Sequence, residues 1–379
     1  MTNIKYAGKS ATLVSAMLAA SVGTAHAAAA NVGDTTITAG GYVKADFIYD
    51  FDQDLGDTFF VDGLDGSDPD GGFSFAATES RVNLTSVTDT SMGEITGFIE
   101  ANFQLANDVD LRHAYLEWND VLVGQTWTNW MPLTSYHSTV DFHGPVGILF
   151  ARTPQIRYTV KQGDITFAVS AEQREENESA SFNDTTSFID SDGDTQPNFG
   201  SGDDRNVIPD LTARIQYDHE GTHLMASGMV RQIGVDNGSM DEEETGFGVN
   251  LSALQPVGPD SVAANFTWGE GIGDYLVSGN TAFYVGPEGL EAIEVMAFTA
   301  AYTRNWSERV SSNLVFGYTE NDDPQAGTEE LSSVHLNTFY SPLPPLTFSG
   351  EVMWGDKETF DGSIDEDAVR VQFAAMYSF

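Results

Sequence analysis

Apolar and polar residues alternate with a period of two along most of this chain. Near the C-terminus Val369, Val371, Phe373, Ala375, Tyr377 and Phe379 share one face, and Arg370, Gln372, Ala374 and Met376 share the other. Near the start Val43, Ala45, Phe47, Tyr49 and Phe51 alternate with Tyr42, Lys44, Asp46 and Asp50. The runs Ile165-Phe167-Val169-Ala171 and Leu211-Ala213-Ile215-Tyr217 repeat the pattern, with Thr166, Ser170, Glu172 and Arg174, and Thr212, Arg214 and Gln216, between them. Successive side chains of an extended chain point to opposite faces, so the pattern predicts strands. No long segment carries a helical period. Sixteen strands are predicted, near 37-51, 74-87, 94-104, 110-119, 120-127, 148-160, 164-174, 209-219, 222-235, 243-254, 261-270, 292-305, 309-320, 330-341, 345-357 and 367-379.

The connections alternate in length. Long ones span 52-73, 128-147, 175-208, 236-242, 271-291, 321-329 and 358-366, with 105-109 the brief exception. Short ones include Asn119-Asp120, Lys161 to Gly163, Glu220-Gly221, Asn305 to Glu308 and Ser341 to Pro345. An even number of strands with tight turns on one side and long loops on the other is the pattern of a transmembrane β-barrel, and sixteen is wide enough for a water-filled lumen. The fold expected is all-β: a 16-stranded antiparallel transmembrane β-barrel with an infolded third loop. A soluble β-sandwich would also alternate, with one polar face in water. It does not account for the loop rhythm or for a strand that runs to an aromatic last residue.

The first residues stand apart. Lys5 and Lys9 precede the small apolar run Ala11 to Val22, and Ala25-His26-Ala27 offers an A-x-A cleavage site. Residues 1-27 therefore read as a secretory signal peptide, leaving 28-379 as a single outer-membrane barrel domain. No later stretch is apolar enough for a spanning helix. A closed barrel is the other way to satisfy every backbone polar group in lipid. There is no cysteine, so a secreted chain must be stable without disulfides.

Charge sharpens the reading. The formal net charge is -41, from 57 acidic and 16 basic residues, which argues against nucleic acid as a partner. With 41% hydrophobic and 11% aromatic residues the chain is too apolar for disorder, so the acid must sit somewhere solvated. It crowds the long loops, as with Asp52, Asp54, Asp57, Asp62, Asp65, Asp68 and Asp70 in the first. The scarce cations behave oppositely. Lys44, Arg81, Arg112, Arg152, Arg157, Arg174, Arg214, Arg231, Arg304 and Arg370 all fall inside predicted strands. A lipid-facing charge costs about 2–4 kcal/mol at the membrane midplane, so most of them must face a polar lumen. Asp46, Glu79, Glu100, Glu172 and Glu351 share those faces and can pair with them. The third long loop, TWTNWMPLTSYHSTVDFHGPVG (126-147), is aromatic and has Asp141 as its one acid. An outward loop here would be acidic, so this one is expected to fold into the barrel and narrow it. Trp127, Trp130, Tyr136 and Phe142 would anchor it, with Asp141 and His143 as further constriction residues.

Chemistry-bearing motifs are thin. His219-Glu220-Gly221-Thr222-His223 matches H-E-x-x-H, but its flanks alternate like strands and Gly221 sits where a hairpin turns, so helical i, i+4 geometry is not expected. Asp190 to Asp194 resembles a calcium loop with glycine at the wrong position, and reads better as solvated acid. No G-x-S-x-G elbow, P-loop or dinucleotide fingerprint is present. No catalytic residue, metal or cofactor is assigned. The competing readings are a secreted soluble β-sandwich adhesin and an outer-membrane barrel hydrolase.

The segments GGYVKADFIYDF (40-51), ESRVNLTS (79-86), GFIEANF (97-103), LRHAYLEW (111-118), VGQTWTNWM (123-131) and TVDFHGPVGILFARTPQIRYT (139-159) resemble the DcaP-like family of trimeric outer-membrane porins, and the final Tyr377-Ser378-Phe379 resembles a barrel-assembly signature. The resemblance implies a homotrimer in the bacterial outer membrane, with lipid and lipopolysaccharide around it. It also implies a third-loop constriction and passive passage of small anionic, dicarboxylate-like solutes past lumen arginines. The pore-lining set on this reading is Lys44, Arg81, Arg112, Arg152, Arg157, Arg214 and Glu100. Arg152 and Arg157 differ in parity, so both reach the lumen only if Pro154 introduces a bulge. Two features depart from the family pattern: no heptad segment precedes the first strand, and the loops are more acidic than an anion pore needs. Their field reaches about a Debye length, roughly 8 Å at physiological salt.

Overall fold

The computed structural model describes residues 28–66, 71–103, 109–173, 188–189, 195–196, 203–204, 208–236, 241–278, 282–286 and 289–379. The signal-peptide segment, Arg174 and the Asp190 to Asp194 motif lie outside the described residues. The sixteen barrel strands are β1 Thr35–Asp50, β2 Arg81–Thr90, β3 Gly93–Asn102, β4 Asp110–Trp118, β5 Val121–Trp127, β6 Arg152–Gln162, β7 Ile165–Glu172, β8 Asp210–His219, β9 Thr222–Asp236, β10 Asp241–Val257, β11 Asp260–Glu270, β12 Glu294–Ser307, β13 Val310–Asn321, β14 Thr328–Leu343, β15 Leu346–Thr359 and β16 Asp365–Ser378. Each pairs antiparallel with its neighbours in the chain. Tyr42 to Asp50 of β1 pairs with Ser378 to Arg370 of β16 and closes the barrel. Closure removes the unpaired strand edges that lipid cannot solvate.

The alternation read from the sequence sets the two faces. On β16 Arg370, Gln372 and Ala374 are buried inside while Phe373 and Tyr377 lie on the outside; on β1 Lys44, Asp46 and Asp50 are inside while Val43, Phe47 and Tyr49 are outside. The exposed outer residues form the apolar band expected to meet lipid. The H-E-x-x-H segment is a two-residue hairpin. His219 pairs with Thr222 and Asp218 with His223, and Glu220 and Gly221 both have positive φ (48° and 82°). Such a turn keeps the two histidines out of helical geometry.

Four expectations change. The predicted strand at 74-87 is two pieces, Phe73–Ala76 and β2, both pairing with β1. Between them β2 uses one residue more than β1, which bends the strand. Residues 148–151 are not strand; they belong to the third loop, where Leu149 bridges to Leu276. Arg304 faces outward at a strand end, over Trp306 and paired with Asp260 at 2.6 Å. Most importantly, the first loop does not stand out in solvent. Phe59, Val61 and Leu64 are buried against Val146, Leu331, Met353 and Ala368 inside the barrel.

The barrel therefore has an interior packing of loops. The first loop, the third loop and the sixth (271–293) all turn inward. Trp130, Met131 and Leu149 of the third pack with Ile272, Tyr275 and Leu276 of the sixth and with wall residues Met229, Val295 and Ala297. Burying these apolar side chains is worth about 1.5–3 kcal/mol each, enough to hold polar backbone in a lumen where water competes for it.

Candidate functional site

The third loop, residues 128–151, meets the wall in two chemically different ways. Along one arc it is fastened by hydrogen bonds to its backbone. Asn129 N–H donates to Glu172 of β7 (2.8 Å), and the Asn129 side-chain amide donates to Thr212 of β8 (2.9 Å). The Trp130 carbonyl accepts from Ser227 of β9 (2.8 Å). The Ser138 carbonyl accepts from Asn313 of β13 (2.9 Å) and Asn337 of β14 (3.0 Å). Glu351 of β15 accepts from Val140 N–H (2.8 Å), while Lys44 of β1 donates to the Val140 carbonyl (2.6 Å). The inward amides and carboxylates satisfy loop groups that would otherwise be orphaned, each such orphan costing about 1–3 kcal/mol.

Toward β2–β6 the loop makes no hydrogen bond among the described residues. It presents rings instead. The Arg81 guanidinium lies over the Phe142 ring at 5.5 Å and over Tyr42 at 5.2 Å. Arg112 lies over the same Phe142 at 5.2 Å and over Trp127 at 5.8 Å, and Arg152 lies over Trp127 at 5.4 Å. Three guanidiniums thus alternate with three rings: Tyr42, Arg81, Phe142, Arg112, Trp127, Arg152. Stacking of this kind contributes about 0.5–2 kcal/mol per contact and leaves the guanidinium edge free to donate.

Carboxylates thread the same stack. Lys44 contacts Asp46 at 3.2 Å and Glu79 more closely. Arg81 lies 3.7 Å from Glu79 and 3.8 Å from Glu100. Glu100 accepts from Arg112 Nε at 3.2 Å, and Arg152 lies 3.7 Å from Asp110. Arg112 is fully buried, and its Nη1 and Nη2 have no hydrogen-bond partner.

A bulge builds this arrangement, but not at Pro154. The pairings of β6 with β5 and β7 run without a register shift, so the expected bulge is absent. Arg157 is buried on the inner face with Thr153 and Gln155. Arg152 has the opposite parity and reaches Trp127 because it sits at the very end of its strand. The actual bulge is on β4: Glu100 pairs with His113 and Ala101 with Leu111, leaving Arg112 as the extra residue. It turns Arg112 and His113 inward together. His113 is held by Thr126 (3.1 Å) against the edge of Trp127.

Arg157 and Arg214 stand on the inner face of β6 and β8, and neither has a carboxylate within 4 Å among the described residues. Two other inward arginines serve as ties. Arg370 grips Asp50 through two hydrogen bonds (2.6 and 2.7 Å), donates to the Gly56 carbonyl and lies 3.7 Å from Asp141. Arg231 binds Asp274 (2.7 Å) and the Gly271 carbonyl of the sixth loop, and lies 3.5 Å from Asp210, which also accepts from Tyr275.

The constriction residues named from the sequence come together unevenly. Trp130 is fully buried, and the Tyr136 hydroxyl accepts from Leu149 N–H (2.9 Å), so both pin the loop to itself and the wall. Asp141 faces inward to the first loop, accepting from Phe59 N–H and His143 N–H (both 2.9 Å). His143 stacks on Phe60. Burial pushes the imidazoles of His137 and His143 below their usual range, Asp141 only partly opposing this at His143. Both are neutral at neutral pH and add no positive charge to the constriction. Sequence reasoning missed Asn313, Asn337 and Asp50 as fasteners; their inward parity was visible, their partners were not. The apolar triplet Phe59-Phe60-Val61 inside an acidic loop was the signal for the first loop's infolding.

Comparison with known proteins agrees with this architecture. The family model described as DcaP outer membrane protein matches residues 16–379. The solved outer membrane channel DcaP of Acinetobacter baumannii superposes with a TM-score of 0.78 at 24% identity, covering 92% of this chain and 99% of that one. An anion-selective porin from Comamonas acidovorans gives a TM-score of 0.63 at 13% identity, covering 91% and 100%. The outer membrane protein OmpT of Vibrio cholerae, in a structure described as a trimer form, gives 0.60 at 12% identity, covering 91% and 99%. At these identities the structures speak for the fold. Comparison with individually curated proteins returns no match.

Proposed function

This chain belongs to the DcaP outer membrane protein family and is a bacterial outer-membrane channel, and on that premise we propose that it passes small hydrophilic anions, dicarboxylate-like solutes among them, by passive diffusion along the β2–β8 wall as a homotrimer. The observation that carries the anion preference is the pair Arg157 and Arg214, inward-facing cations with no carboxylate within 4 Å among the described residues, following the stack of Arg81, Arg112 and Arg152. Guanidinium groups pair planar carboxylates in two-pronged geometry, which favours such solutes over monatomic ions. Much of the nearby acid is already paired: Asp50 with Arg370 and Asp62 with Lys357. The acidic loops therefore oppose anion entry less than their count suggests.

The test is the reversal potential of purified protein in a planar bilayer across a potassium chloride gradient. An anion-selective sign that shifts toward zero in Arg157→Met/Arg214→Met supports the proposal. A cation-selective sign in the native protein removes it. Conductance steps in groups of three, with a matching mass by light scattering in detergent, test the trimer.

A further inference from the structure

The ring-and-guanidinium stack contains its own competitor for the solute. Along Asp46, Lys44, Glu79, Arg81, Glu100 and Arg112, with Arg152 and Asp110 joined through Trp127, four cationic side chains face four carboxylates. The formal charge of this cluster is zero. An approaching anion gains nothing from it unless one carboxylate gives way.

The two central carboxylates are held differently. One oxygen of Glu79 is in close contact with the Lys44 ammonium, and the other accepts from the Tyr42 hydroxyl at 3.1 Å. Lys44 is itself anchored on the third-loop carbonyl of Val140. Glu100 is held more loosely. Its Oε1 bridges Arg112 Nε at 3.2 Å and Arg81 Nη1 at 3.8 Å, and its Oε2 has the Asn83 amide at 3.3 Å. Arg112 meanwhile keeps two unbonded terminal nitrogens under Phe142. A single carboxylate oxygen thus stands between two guanidiniums that could serve an incoming anion better than they serve Glu100.

We infer that Glu100 is a displaceable internal ligand. It occupies the anion position between Arg81 and Arg112 when the channel is empty, and a passing oxyanion or carboxylate takes its place. The inference rests on the anion-channel reading above and deepens it. Two consequences follow from the charge count. Resident Glu100 keeps the guanidiniums from holding an anion for long, because a competitor is always within reach. It also lowers anion preference, because it cancels one cation at close range.

The experiment compares native protein with Glu100→Gln and Glu79→Gln in planar bilayers, using potassium chloride for reversal potentials and potassium sulfate for current-block dwell times. Glu100→Gln keeps the shape and the Asn83 contact but removes the charge. It is expected to raise the anion-to-cation permeability ratio about three- to tenfold, the scale of one charge at close range in a partly screened site, and to lengthen sulfate dwell by a similar factor. Glu79→Gln should lengthen dwell less. Glu100→Asp, which keeps the charge but loses reach, gives the same readout should the glutamine variant fail to assemble, and should fall between. An anion-selective native channel whose ratio and dwell times are unchanged in Glu100→Gln and Glu100→Asp overturns this inference alone. Cation selectivity in native protein and variants alike overturns the anion reading, and the inference with it.

Discussion

The two sides of the third loop differ in what holds them. On the arc from β7 round to β1 the loop backbone is bonded to Glu172, Ser227, Asn313, Asn337, Glu351 and Lys44. Against β2–β6 it is held only by the stacking of Phe142 on Arg81 and Arg112 and of Phe150 on Trp127. Hydrogen bonds fix position and direction, and buried ones are costly to leave unmade. Stacked contacts fix a plane but tolerate sliding. One side therefore sets where the loop is, and the other can yield as a solute passes.

The comparison breaks first at its strongest tie. Arg370→Ala leaves Asp50 and Asp141 buried without their cation and should cost about 3–5 kcal/mol, read as a marked fall in the temperature at which the folded band is lost on SDS gels. Glu351→Ala should come next, at about 2–4 kcal/mol, because Val140 N–H, the Asn337 amide and His335 all lose an acceptor. Both variants should also raise single-channel conductance as the loop loosens. Asn313→Ala should cost only about 0.5–1.5 kcal/mol, since Asn337 still donates to the Ser138 carbonyl. Phe142→Ala sharpens the contrast from the other side. It should cost no more than about 1–2 kcal/mol and still change conductance and anion preference more than Asn313→Ala does. Conductance unmoved in Phe142→Ala would show that the yielding side lies elsewhere.

The barrel itself was legible because parity is a local property. Val43 and Lys44 declare their faces from their neighbours alone, and a signed face repeated sixteen times leaves few architectures. The third loop's infolding was legible from composition, since an uncharged aromatic loop in so acidic a chain has an apolar place to go. What could not be read is anything that depends on who stands across the lumen. Glu351 and Asn313 are inward on parity, but that their partners are Val140 and Ser138 is a matter of the ring closing. The Arg112 bulge was hidden for a related reason. A bulge shows only when two strands are set side by side, and Pro154, the one local hint, lies in an unbroken ladder. The first loop misled because its aspartates outnumber Phe59, Val61 and Leu64, while a few buried apolar side chains outweigh many solvated charges.

The fastening of the third loop also dictates an order of events. Val140 lies 211 residues before the Glu351 that holds it, and 96 after Lys44. Its seat exists only once β15 and β16 have joined the sheet and β1 has met β16. The eyelet is therefore finished last, after the wall is sealed, and a barrel caught midway through refolding should still offer residues 133–142 to protease while its strands already resist.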